Sequence, residues 1–296
     1  MSDSVVEDRI AGLPCWQARV AIEPLAGGMT NRNFLVHDAR AGKFVVRFGK
    51  DIPEHGVMRF NELAAARAAF AAGISPEVIY AGDGCLVSRY IESRTLEPAD
   101  IRDRARLPAL LDLVRRCHHD IPTFFRGPAL AFWVFQILRN YLALLGAEPR
   151  SCLFSQLARL RGMAVELEAA VGPVDLVFGH NDLLAANFLD DGSRLWLIDW
   201  DYAGFNSPLF DLANLSSNNQ FDSPDDDAML EVYWRGRTDP ARRHAFEAMK
   251  CASLMRETFW GAVSELRSTI DFDYANYTRD YLQRLDAAWV LFKARS

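Results

Sequence analysis

The stretch of sequence that decides the fold reads Val177-Phe-Gly-His-Asn-Asp-Leu-Leu-Ala-Ala-Asn-Phe188 and resumes, after a turn, as Leu195-Trp-Leu-Ile-Asp-Trp-Asp-Tyr202. Each part begins with a short apolar run that is typical of a β-strand, and an Asp-Asp-Gly sequence typical of a hairpin turn lies between them. Because the two strands of a hairpin are neighbours, we expect Asp182, Asn187 and Asp199 to lie at the same end of it.

This combination of residues suits phosphoryl transfer. That reaction needs little covalent help from the protein, which must position the acceptor hydroxyl and neutralise charge with metal ions. One carboxylate near the acceptor would be enough, together with an asparagine and an aspartate on Mg²⁺, an ion that prefers oxygen ligands and usually retains water and substrate phosphates. The alternative interpretation is an ordinary polar hairpin with solvated acids.

The spacing of His180, Asp182 and Asn187, with Asp199 downstream, resembles the catalytic loop and metal-binding aspartate of protein kinases. The sequence of the motif itself is more similar to the choline/ethanolamine kinase branch of the aminoglycoside phosphotransferase superfamily. This similarity continues through Ile198-Asp-Trp-Asp-Tyr-Ala-Gly204 and Asn206-Ser-Pro-Leu-Phe-Asp-Leu-Ala-Asn214. The resemblance implies that Asp182 is the catalytic base or hydroxyl-orienting carboxylate and that Asn187 and Asp199 hold Mg²⁺. It also implies that His180 and Asp211 brace the loop rather than transfer protons.

The rest of the chain predicts two structural halves. Five β-like runs occupy the first third, and the alanine-rich stretch 58–72 interrupts them as one helix, which Gly73 ends. Long helical periodicities follow at about 104–118, 129–145, 151–171, 224–236, 240–268 and 274–294. With the resemblance, this pattern predicts an α+β, protein-kinase-like bilobal fold: a small antiparallel sheet lobe with one helix at 1–92 and a larger, mostly helical lobe at 93–296.

The nucleotide side is predicted from the first half. Paired glycines in a loop between two strands let backbone N–H groups approach phosphate oxygens, and the loop resembles the corresponding loop of choline kinases. The residues expected to contact ATP there are Gly27, Gly28, Thr30 and Asn31. Arg47 stands where a protein kinase carries its ATP-positioning lysine, and arginine can bind phosphate bidentately. Glu62, on the following helix, is its expected ion-pair partner.

The acceptor side is predicted from aromatic residues, since a quaternary ammonium needs aromatic faces and a carboxylate. The resemblance to choline kinases assigns this role to Tyr202, Trp260, Tyr274 and Tyr277. Two residues of the family's acceptor site are replaced in this sequence: Val263 stands near the position of a second tryptophan, and Asn218 near the position of a glutamate. Asp201 or Glu257 is a candidate for the negative charge that the glutamate would supply. A primary amine such as ethanolamine, or another amino alcohol, stays an alternative acceptor.

Composition restricts the partners. The 39 acidic and 33 basic side chains form no basic block, which disfavours nucleic acid. The five cysteines are widely spaced, so we expect a reducing, cytoplasmic compartment, and the most apolar segment is broken by polar residues, which disfavours membrane insertion. A small-molecule amino alcohol is the expected partner, and a homodimer is compatible with the sequence. The alternatives are a kinase for an aminoglycoside, thiamine or a sugar derivative, and a catalytically silent protein that binds a nucleotide or other ligand.

Overall fold

A computed structural model describes residues 3–25, 31–82 and 84–295. Its first half contains a five-stranded antiparallel sheet in the order β1-β2-β3-β5-β4. β2 and β3 pair from Arg32 with Phe48 to Asp38 with Gly42, and the inward residues alternate with exposed ones, as expected of a half-buried sheet. The strands are β1 Val20–Leu25, β2 Arg32–Asp38, β3 Gly42–Phe48, β4 Val78–Gly82 and β5 Cys85–Arg89.

Within the described residues, two α-helices accompany this sheet, one more than the sequence predicts. α1, Asp3–Ala11, packs Val6 and Ile10 into a small core with the inward face of the sheet. Val6 and Ile10, four residues apart, lie on the buried side of α1, whereas Val5 is exposed, so the helical periodicity is weak and tertiary packing supports the helix. α2, Arg59–Ala71, belongs to the larger core of the second half.

The second half is built around one long buried helix. α9, Pro240–Arg267, packs against α5, α6, α7 and α10 and is buried almost continuously between residues 245 and 264. The eight helices of the described part of this half are α3 Pro98–Arg102, α4 Leu107–Phe124, α5 Val134–Gly146, α6 Leu157–Val171, α7 Pro208–Asn218, α8 Ser223–Trp234, α9 and α10 Tyr274–Arg295. No helix in these described ranges has the length and apolar character required to cross a membrane.

Several of the described helices differ from the periodicities in the sequence: α3 was not predicted, α4 ends at Phe124 instead of 118, and α6 begins at Leu157 instead of 151. α5 begins at Val134, five residues later than predicted, because residues 130–132 run beside the segment 204–206 and bond to Phe205. α7 was not predicted, since all of its residues are buried and no polar face marks a helical period.

Two small sheets form the island between α6 and α7. β7, Val177–Gly179, pairs with β10, Gly204–Asn206, while β8, Phe188–Asp190, forms a hairpin with β9, Leu195–Leu197. β6, Arg94–Thr95, adds an edge to β8. The segment after residue 92 is thus joined to the second half, and the predicted boundary between 92 and 93 stays a prediction.

Candidate active site

The loop that follows β7 is held in an unusual backbone conformation. Asn181 has a φ of 66°, in the left-handed region that few non-glycine residues adopt. Its side-chain amide donates to the carbonyl oxygens of Tyr202 at 2.9 Å and of Gly179 and Gly204 at 3.2 Å. These bonds offset the cost of the conformation and fix the direction in which the next residue, Asp182, leaves the strand.

Asp211, in the first turn of α7, also holds this loop in place. Its carboxylate accepts the backbone N–H of His180 at 2.8 Å and of Asn181 at 2.7 Å. It also bonds Nε2 of His118 at 2.9 Å. The His180 ring in turn bonds the carbonyl of Ile198 at 2.9 Å. The structure therefore shows His180 and Asp211 in contacts that brace the loop.

The Asp182 carboxylate is enclosed, with 15% of its side-chain surface exposed. Burial raises its pKa to about 8, with further contributions from Glu257, Asp199 and Asp201, although the Arg256 guanidinium opposes the shift. A raised pKa makes the ionised carboxylate a stronger base, so the deprotonated form of Asp182 can take a proton from a hydroxyl that it orients.

Asn187 and Asp199 are brought together by the hairpin. The N–H of Ile198 donates to the carbonyl of Asn187 at 3.0 Å, so the two residues lie on adjacent chains at one end. The amide nitrogen of Asn187 donates to the backbone oxygen of Asp182 at 2.8 Å, which leaves its amide oxygen for a metal. Asp199 has a φ of 70°, and 33% of its side chain is exposed.

This donor set fits Mg²⁺, because both ligand atoms are hard oxygens and the ion usually completes its shell with water and phosphates. In the part of the chain that the structure describes, no three or more histidine, cysteine, aspartate or glutamate side chains form a metal cage of their own. A site of this kind would hold the ion only together with a phosphate-bearing substrate.

Arg47 joins the sheet half to the hairpin. Its guanidinium contacts Glu62 at 3.0 Å, Asp199 at 2.9 Å and Asp201 at 2.6 Å. Burial opposes the charge of Arg47, but the three carboxylates together raise its pKa above the ordinary value. Arg59, which the sequence analysis did not identify, contacts Glu62 at 2.6 Å and Asp201 at 2.7 Å. The predicted Arg47–Glu62 pair is present, within a larger network.

The glycine-rich loop is only partly described. Gly27, Gly28 and Thr30 lie outside the described residues, so their contact with a nucleotide stays a prediction. Asn31 is described, and its side-chain amide donates to Asp201 at 3.1 Å. The end of the loop therefore meets the same carboxylate that Arg47 and Arg59 contact.

The four predicted acceptor aromatics lie in one cluster. The indole N–H of Trp260 donates to the Tyr202 hydroxyl at 2.9 Å, and the Trp260 ring centre lies 5.8 Å from that of Tyr274 and 5.4 Å from that of Tyr277. The Tyr277 hydroxyl donates to Glu257 at 2.8 Å. Of the two candidate carboxylates, Glu257 therefore accompanies the aromatic cluster. Their contact with an acceptor stays a prediction.

A buried arginine beside Asp182 was missed by sequence reasoning. Arg256 is 2% exposed and its neighbour Glu257 is 4% exposed, in the middle of α9. Arg256 Nη1 bonds Glu257 and lies 3.6 Å from Oδ1 of Asp182. The available signal was an Arg-Glu pair inside an otherwise apolar helical segment, since charged residues are rarely buried without a partner.

Comparisons with known proteins show which family this chain resembles. A family model described as choline/ethanolamine kinase matches residues 22–247. Protein LicA of Haemophilus influenzae is 28% identical to this chain over 275 residues, which cover 90% of this chain and 99% of that protein.

Solved structures show the same architecture. A choline/ethanolamine kinase family protein from Mesorhizobium loti aligns with a TM-score of 0.77 and 30% identity, covering 97% of this chain and 95% of that one. LicA in complex with AMP aligns with a TM-score of 0.75 and 23% identity, covering 97% of this chain and all of that one, which shows likeness of fold. The predicted α+β, protein-kinase-like fold is confirmed.

Proposed function

This chain belongs to the choline/ethanolamine kinase family, and on that premise we propose that it transfers the γ-phosphoryl group of ATP, with Mg²⁺, to the hydroxyl of choline, ethanolamine or a related amino alcohol. The observation that carries the proposal is the placement of Asp182. It is an enclosed carboxyl group whose pKa is raised to about 8, on a loop fixed by Asp211 and beside the aromatic cluster.

Each part of the site has a separate task. Asp182 accepts a hydrogen bond from the acceptor hydroxyl and takes its proton as the new bond to phosphorus forms. Asn187 and Asp199 would hold Mg²⁺, which neutralises charge on the phosphates when it is bound. Arg47, held by Glu62, directs a fixed positive charge to the nucleotide side of the same hairpin.

The acceptor proposal rests on the aromatic cluster and Glu257. Aromatic faces attract an ammonium group without requiring it to donate hydrogen bonds, and a carboxylate adds charge attraction. Tyr277 is the residue that links the two, since its hydroxyl donates to Glu257. An amino alcohol would place its ammonium group here and its hydroxyl on Asp182.

A substrate panel tests this proposal. We expect ATP- and Mg²⁺-dependent turnover of choline or ethanolamine, and a preference for choline over 3,3-dimethylbutan-1-ol, which has the same shape and no charge. Phosphorylation of only an aminoglycoside or thiamine would support the proposed kinase activity and reject an amino alcohol as the acceptor. Failure to consume ATP with every acceptor would indicate a protein that binds ligands without catalysis.

A further inference from the structure

The Arg256 side chain is a buried cation that the proposed reaction leaves without a task. It lies on α9, with Nη1 bonded to Glu257 and 3.6 Å from Oδ1 of Asp182. Its guanidinium carbon lies over the ring of Tyr202, 4.2 Å from the ring centre. These contacts fix the guanidinium beside the carboxylate that we assign to the acceptor hydroxyl.

The other edge of this guanidinium makes no hydrogen bond to the part of the chain that the structure describes. Within the described residues, Nε and Nη2 of Arg256 are both buried and make no hydrogen bond. A buried charged donor that stays unsatisfied is costly, so we expect these atoms to have a partner when the site is in use. The Nε and Nη2 donors form a planar fork, whose geometry matches two oxygens of one phosphate or carboxylate.

We propose that Arg256 binds an oxyanion beside Asp182, either the phosphoryl group that is being transferred or a carboxylate carried by the acceptor. This inference rests on the proposed function only in taking Asp182 as the residue that holds the acceptor hydroxyl. Glu257 already bonds Nη1 of Arg256 and holds the guanidinium in place. The incoming oxyanion would therefore bind to Nε and Nη2.

The charges in the transfer step are compatible with this role. The acceptor oxygen bonds to the γ-phosphorus while the bond from phosphorus to the β-phosphate oxygen breaks, and the hydroxyl proton passes to Asp182. ADP leaves with the electron pair of the broken bond. Asp182 loses its negative charge as the phosphoryl oxygens approach, so Arg256 can donate to them without a repelling carboxylate beside it.

Binding measurements test the site without catalysis. Calorimetry with inorganic phosphate and with phosphoethanolamine should show binding to the parent that weakens at least about tenfold in Arg256→Met, with Arg256→Lys intermediate because it keeps charge and loses the fork. Arg267→Met makes the same change at an exposed position of α9, 49% of whose side chain is in solvent, and should match the parent. Equal binding by the parent and Arg256→Met would overturn the proposal.

Kinetics distinguish the two sources of the oxyanion. If it is the phosphoryl group, Arg256→Met should lower kcat on ethanolamine by on the order of 100-fold with little change in KM. If the oxyanion is a carboxylate of the acceptor, the parent should prefer serine to ethanolamine, because serine carries a carboxylate that ethanolamine lacks. Arg256→Met should then lose this preference because its KM for serine rises.

A second variant controls for misfolding, since Arg256→Met leaves the buried Glu257 without its positively charged partner. The double variant Arg256→Met with Glu257→Gln removes both charges and should show the same loss of phosphate binding. A change in melting temperature alone, with kcat, acceptor preference and phosphate binding as in the parent, would assign Arg256 a purely structural role. Turnover by the parent decides the proposed function separately, because the phosphate measurements need no substrate.

Discussion

At the scale of single residues, the chemistry depends on one carboxyl group. Asp182→Asn keeps the size and loop position of Asp182 but cannot accept a proton from the acceptor hydroxyl. We expect kcat to fall by at least about 100-fold, which corresponds to ~2.7 kcal/mol of barrier, while binding of ATP is unchanged. Steady-state kinetics and nucleotide titration would measure this. A kcat within about tenfold of the parent would remove Asp182 from the role we give it.

Asp199 is charged and Asn187 is neutral, and this difference predicts which of their alanine variants needs more Mg²⁺. Asp199→Ala removes a carboxylate from the proposed metal site and also removes one of the three carboxylates that Arg47 contacts, at 2.9 Å. Asn187→Ala removes a neutral ligand and the bond to the Asp182 backbone. We expect both variants to need more Mg²⁺ for half-maximal rate, with Asp199→Ala the more affected. An unchanged Mg²⁺ dependence in Asp199→Ala would place the metal elsewhere.

At the scale of elements, α7 holds the catalytic loop through the buried Asp211. In Asp211→Asn, one of the two acceptor oxygens becomes a donor, which faces the N–H group of either His180 or Asn181. We expect the free energy of unfolding to fall by about 3 kcal/mol, and kcat to fall as the loop shifts. Urea unfolding would measure the first effect. The control is Asp120→Asn on α4, where 47% of the side chain is exposed; a loss of the same size there would contradict this account.

At the scale of the whole molecule, His55 connects the two halves. It lies in the segment between β3 and α2, bonds the hydroxyl of Tyr141 on α5 at 2.9 Å, and contacts Ser264 on α9 at 3.1 Å. Burial lowers its pKa from 6.5 to about 3, and the charge of Arg256 contributes in the same direction. The native protein therefore keeps His55 neutral where the unfolded chain would protonate it.

The sign of the pH effect follows from that difference. Between pH 6.5 and 3 the unfolded chain binds the proton, so the contribution of His55 to stability is complete above pH 6.5 and decreases as the pH falls. We expect a loss of about 3 kcal/mol by pH 4 from this residue.

Unfolding of parent and His55→Gln by urea across this range would measure the loss. The variant should lose less stability on acidification than the parent, whereas His37→Gln, at an exposed histidine of β2, should follow the parent. Equal pH dependence in the parent and His55→Gln would exclude this role for His55.

Local patterns in the sequence predicted much of this molecule. The strands and α2 follow from alternation and from Gly73, because hydrophobic period and turn residues act within a few positions of the chain. The loop with Asp182 and Asn187 could be identified because its side chains are close in sequence. The proximity of Asp199 to that loop was predictable because the two strands of a hairpin are neighbours, but no distance between the side chains can be read from the sequence.

The sequence by itself determined the family, the strands of the five-stranded sheet, the longer helices, and the candidate residues of the catalytic hairpin, because these depend on local spacing. Only the tertiary structure decided that α1 covers the sheet, that Arg59 shares carboxylates with Arg47, and that Arg256 lies against Asp182. Asp182 and Arg256 are far apart in the chain, and no local period records which buried charge will meet which carboxylate. That choice is made when α9 packs into the core, since a buried guanidinium must find a counter-charge among the residues that the fold brings to it.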